Sequence, residues 1–86
     1  MNFGQALEEL KTGGLVTRKG WNGKNQFVFL IRGADLQNSL KYGYGEFVGE
    51  PTVTSALAIK TTSNQIQVGW LASQSDMLAE DWEILS

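Results

Sequence analysis

Phe3, Ala6, Leu7 and Leu10 fall at i, i+3, i+4 and i+7, with Glu8, Glu9 and Lys11 on the opposite side. That stripe predicts an amphipathic helix over residues 3–12. Asn2 is a suitable N-cap, and Gly13-Gly14 is a stop, because glycine accepts the left-handed backbone just past a helix end. Leu15 to Arg18 then reads as a short strand. Lys19-Gly20-Trp21-Asn22-Gly23-Lys24 reads as a turn, with the Asn-Gly pair that favours hairpins. From Gln26 to Ile31 nearly every position is apolar, the pattern of a strand covered on both faces by flanking helices or by another subunit.

Residues 32–52 show little periodicity but carry Tyr42, Tyr44 and Phe47, so they read as an ordered loop with a helical turn near Leu36–Leu40. Ser55–Thr61 and Ile66–Trp70 form a hairpin pattern around the polar turn 62–65. Ser73 or Ser75 is placed to cap a short helix running to Glu80, and Asp76, three residues after Ser73, completes a capping-box spacing. Asp81–Leu85 closes the chain as a strand, with Trp82 and Ile84 sharing a face. The expected fold class is α+β: a small, mostly antiparallel sheet with an N-terminal amphipathic helix and a short C-terminal helix. Its 86 residues fit one domain spanning 1–86.

Composition narrows the chemistry. The chain has no Cys and no His, which excludes thiol nucleophiles, imidazole acid–base catalysis, zinc fingers and haem ligation within it. No cofactor and no metal site are expected. The N-terminus lacks the basic and apolar regions of a secretory signal, and no apolar run approaches the roughly 18 residues of a membrane span. A cytoplasmic protein with no membrane partner is the expectation. Net charge is −2, but the basic residues Lys11, Arg18, Lys19, Lys24, Arg32 and Lys41 gather in the first half. Asp76, Glu80, Asp81 and Glu83 stand alone after residue 60. An acidic chain of this kind is not built for a nucleic acid polymer, whereas a small anion remains compatible with a few local bases.

Two segments could carry chemistry. Residues 18–24 place a Trp face, an amide and several cations in one tight turn, the groups needed to hold a phosphorylated purine. The plainer reading is a hairpin whose Trp packs on the sheet. Residues 70–77 offer hydroxyls, an amide and a carboxylate at a helix start, suited to ribose and phosphate. There the plainer reading is that Ser73 and Asp76 only cap the helix while Trp70 joins the core. Asp76, Asp81 and Glu83 form an acid run of the sort usually found on a solvated face. Ser73 and Ser75 have no imidazole to activate them as nucleophiles.

The segments MNFGQALEELKTGGLVTRKGWNGK, ALAIKTT and GWLASQSDMLAEDWEIL, taken together, resemble the Thoeris anti-defence protein 2 family of phages and prophages. The resemblance spans about two-thirds of the chain and leaves out residues 33–54. It implies a non-enzymatic sponge: a homotetramer that sequesters a cyclic ADP-ribose isomer, the small cyclic nucleotide signal of bacterial Thoeris immunity. Some relatives also take cyclic oligonucleotides at a second site. Carried onto this sequence, it implies that Trp21 stacks on adenine and that Asn22 and Lys24 contact base, ribose or phosphate. Ser73, Gln74 and Asp76 face the ribose and phosphates from a neighbouring subunit, with Arg18 and Tyr44 as further contacts. Trp70, Met77 and Trp82 shape the pocket wall and core. A different class of function, inhibition of a host defence protein through the aromatic residues 42–47, would leave Trp21 unused.

Overall fold

A computed structural model describes residues 1–21, 25–39 and 52–85. Helix α1 (Phe3–Lys11) begins with a reciprocal capping box, in which the Asn2 side chain accepts from the Gln5 N–H and the Gln5 side chain from the Asn2 N–H, both at 2.9 Å. At its far end Gly13 takes φ +95°. The Gly13 N–H then reaches the Leu10 carbonyl at 3.0 Å, and the Gly14 N–H reaches Glu9 at 2.9 Å. This is the paired closure that a left-handed glycine allows.

Strands β1 (Val16–Arg18), β2 (Phe27–Ile31), β3 (Ala56–Lys60), β4 (Ile66–Val68) and β5 (Trp82–Ile84) form one sheet in the order β4-β3-β2-β1-β5. All its pairings are antiparallel. The class is α+β, with α2 (Gly33–Ser39) following β2 and α3 (Gln74–Leu78) preceding β5. Val16 sits beside Val28 and Ile84, and Val28 beside Ile59. Side chains alternate along a strand, so these residues share one face. Helix α1 lays Ala6 and Leu10 on that face, and with Val16, Val28 and Trp82 they form a core no more than 2% exposed. Phe3, Leu7, Trp21, Leu57, Ile59 and Trp70 pack around it. The other face carries Phe29, Ala58 and Val68 in one row and Phe27, Lys60 and Ile66 in the next. Strand β2 is therefore apolar toward two sides, as its unbroken run implies.

Three details depart from the sequence pattern. The helical turn anticipated near 36–40 is a full helix starting at Gly33. Its start depends on a close approach: a Cβ on Gly33 would run into the Val53 carbonyl, and the Gly33 N–H donates to Ser55 Oγ at 3.0 Å. The hairpin strand anticipated to reach Trp70 stops at Val68. Gly69 turns to φ +95°, and its N–H and that of Trp70 both converge on the Leu57 carbonyl at 2.9 and 2.8 Å. Strands β1 and β2 are joined by residues 19–26, a longer connection than a two-residue hairpin. The Asn22-Gly23 pair within it lies outside the described residues, as do Tyr42, Tyr44 and Phe47. Among the described residues no helix is long and apolar enough to cross a membrane.

Candidate ligand-binding site

The pairing of β1 with β5 brings the two chemistry-bearing segments together. Arg18, the last residue of β1, sits opposite Trp82 in register. Residues 19–21 therefore leave the sheet beside Asp81, and α3 lies just before that strand. The Arg18 guanidinium bridges two carboxylates. Its Nε donates to Asp81 Oδ1 and its Nη1 to Asp76 Oδ1, each at 2.8 Å. The Gly20 N–H donates to the other Asp81 oxygen at 2.8 Å, and the Lys19 N–H to the Asp81 carbonyl at 3.2 Å. A Cβ on Gly20 would stand 2.7 Å from Asp81 Oδ2, so a side chain there would have to displace the carboxylate.

Asp76 is the hub. Its carboxylate accepts from Arg18, from the Trp21 indole Nε1–H at 3.3 Å and from the Ser73 N–H at 3.0 Å. Its own N–H returns to Ser73 Oγ at 3.1 Å, completing the capping box of α3. Its backbone carbonyl accepts the Trp82 indole N–H at 2.9 Å. Trp82 in turn meets Trp21 edge-on at 5.4 Å and Trp70 at 6.3 Å, while Trp21 and Trp70 are 6.3 Å apart. The three indoles thus form one edge-to-face cluster, half in the core and half under the site.

Electrostatics follow from these contacts. Hydrogen bonding to Asp81 and then Asp76 raises the Arg18 guanidinium above its usual value. Burial pushes the Asp76 carboxyl up, but the bonds from the Ser73 N–H, Arg18 and Trp21 outweigh it and hold the group below the usual carboxylate value. Asp81 is lowered chiefly by its bond from Arg18. Folded carboxyls below their unfolded value stabilise the native state above that value, and the stabilisation is lost as pH falls through the folded value. The midpoint of urea unfolding is therefore expected to hold steady from about pH 8 to 5 and to drop below about pH 4, where unfolded Asp protonates. An Arg18→Met variant, with no cation to hold the carboxylates down, should show a shallower acid drop. Equal slopes in the two proteins would assign the acid loss to other groups.

Of the residues singled out in the sequence, Arg18, Trp21, Ser73 and Asp76 converge. Ser73 and Gln74 are exposed, Trp21 is half-buried and Asp76 is 9% exposed. Asn22, Lys24 and Tyr44 lie outside the described residues. The capping reading of Ser73 and Asp76 holds, and the contact with Trp21 and Arg18 is added to it. Two members of the acid run, Asp76 and Asp81, are not a solvated face, because they turn onto Arg18. Asp81 is the contact that sequence reasoning passed over. Only the β1–β5 pairing reveals it, and a single sequence does not display that pairing. Among the described residues, no group of three or more His, Cys, Asp or Glu is arranged to hold a metal ion.

A sheet capped by α1, with a Trp-lined carboxylate hub joining residues 18–21 to α3, is the frame of a small α+β domain with known kin. The chain belongs to the family of Thoeris anti-defense 2-like domains, whose model matches residues 1–85. Among individual proteins it is similar to Thoeris anti-defense 2 of Bacillus phage SP01, at 49% identity over 86 residues, covering 100% of this chain and 96% of the relative. The likeness therefore runs through residues 33–54 as well, beyond the three segments that first carried it.

Proposed function

We propose that this protein is a phage anti-defence sponge, which binds a cyclic ADP-ribose isomer of Thoeris immunity in the host bacterial cytoplasm and withholds it without cleaving it. The observation that carries the reading is the meeting of residues 18–21 with 73–76 around Asp76, in a chain of the anti-defense family. Trp21 supplies an aromatic surface for the adenine, and the exposed Ser73 and Gln74 supply polar groups for ribose and phosphate, with Asn22, Lys24 and Tyr44 as further contacts. Capture without turnover agrees with the chemistry at hand. A general acid needs a carboxyl raised toward neutrality, whereas Asp76 and Asp81 are lowered and engaged with Arg18. The sponge acts as a homotetramer. Leu71, three residues before α3, and Leu78, its last residue, are 92% and 76% exposed, apolar surface of the kind that subunit contacts cover.

The test is to expose the purified protein to lysate from cells expressing an activated Thoeris TIR enzyme, wash it, denature it by heat and identify what is released by mass spectrometry. An intact cyclic ADP-ribose isomer is expected. Trp21→Ala should weaken binding by about 1–3 kcal/mol, the range for a base stacked on an aromatic side chain. Undiminished affinity in that variant would move the site elsewhere. A linear product would replace the sponge with a hydrolase, and a retained protein with no nucleotide would favour an interaction module.

A further inference from the structure

The charged groups at the site are committed to one another. Arg18 presents two donor positions to two carboxylates, and its side chain is 18% exposed, against 12% for Asp76 and 32% for Asp81. One cation between two anions leaves the cluster with a net negative charge, a poor seat for a phosphate. Among the described residues, the Asp81 carboxylate accepts from the Gly20 N–H through Oδ2 and from Arg18 Nε through Oδ1. A carboxylate that fastens each oxygen to a different part of the same turn fixes both the path of the backbone and the plane of the guanidinium. The guanidinium then fixes Asp76, and Asp76 fixes the Trp21 ring through its indole N–H.

Resting on the sponge reading above, we propose that Asp81 is a positioning residue: acting through Arg18 and Gly20, it sets the Trp21 ring against the start of α3 before ligand arrives. Arg18 belongs to this frame and is not a phosphate contact. Phosphate charge is met by bases outside the cluster, of which Lys19 is exposed beside it. Holding a binding surface in its bound form raises affinity by removing the ordering cost from the binding step. The frame therefore acts on affinity without touching ligand.

The indole protons give a direct test. Trp82 donates its indole proton to the Asp76 backbone carbonyl and reports the fold, whereas Trp21 donates to the Asp76 carboxylate and reports the site. In the Asp81→Asn variant, labelled with 15N-tryptophan, the Trp21 indole resonance should move while that of Trp82 stays, with the Trp21 signal assigned from a Trp21→Phe spectrum. Affinity for cyclic ADP-ribose isomers made by a TIR-domain enzyme should fall about tenfold, equivalent to 1.4 kcal/mol. The Asp81→Glu variant, which keeps the charge, should recover part of the shift and part of the affinity. An unmoved Trp21 resonance overturns the proposal, as does an unchanged affinity in a protein whose Trp21 signal has moved. Equal displacement of the two indoles would reduce Asp81 to a purely structural residue and also overturn it. If the unaltered protein binds no isomer while the Trp21 signal moves selectively in Asp81→Asn, the sponge reading falls and the positioning role stands.

Discussion

Trp82→Ala is expected to destabilise the protein by about 3–5 kcal/mol, the cost of emptying a fully buried tryptophan site. Trp82 is 2% exposed and stands at the centre of the ring cluster, 5.6 Å from Phe3 and 5.4 Å from Trp21. Its removal opens a cavity between α1 and the sheet and takes the indole donor from the Asp76 carbonyl, leaving that oxygen only its long bond from the Ala79 N–H. Small domains have only about 5–15 kcal/mol in total, so much of the margin disappears. Urea unfolding followed by tryptophan fluorescence, using the signals of Trp21 and Trp70, measures the loss. A cost below about 1 kcal/mol would mean that the core closes over the gap, against the tight packing of Ala6, Leu10, Val16 and Val28 around it.

The second large effect falls on Asp76. Replacing it with Ala removes one half of the capping box, the carboxylate that accepts the Ser73 N–H, while the Ser73 Oγ still caps the N–H of residue 76. It also leaves the Ser73 N–H, the Trp21 indole and one edge of Arg18 without their acceptor. A part-buried cation and a part-buried indole left unpaired add to the loss, for a total of about 2–4 kcal/mol at neutral pH. The deficit should shrink below about pH 4, because the unaltered protein loses the same carboxylate there. Ligand capture should fall more steeply than in Trp21→Ala, since the ring loses its anchor and α3 loses half of its capping box. Calorimetric unfolding at pH 7 and pH 3, beside binding at pH 7, checks each part. A deficit that does not depend on pH would show that the Asp76 charge contributes nothing and only its hydrogen-bonding shape matters.

Local order was plain in the sequence where short-range rules act. The helix of Phe3, Ala6, Leu7 and Leu10, its Asn2 cap and its Gly13 ending depend on residues three or four apart, and so does the Ser73–Asp76 box. The strands also announced themselves, because alternation and unbroken apolar runs are local signals. What stayed hidden is set by contacts between distant residues. The Gly33 helix start depends on the Val53 carbonyl, and the end of β4 depends on the Leu57 carbonyl. At the site, Trp21 and the 73–76 group were each visible as chemistry, and the family resemblance supplied the idea that they act together. The role of Asp81 was not visible. Nothing in a run of acids distinguishes the one that a strand pairing will set beside Arg18 from its neighbours on the surface.

The reciprocal use of Asp76 has a consequence for motion. Its backbone carbonyl is fastened to the core through Trp82, and its carboxylate to the site through Trp21 and Arg18. A pocket built on an outlying loop can open at little cost while the rest of the molecule stays intact. Here the α3 backbone cannot carry Asp76 away from Trp21 without also breaking the bond to the indole at the centre of the core. Backbone motion at the start of α3 is therefore coupled to the core, and opening on that side carries the cost of the Trp82 bond in addition to the bonds of the hub itself.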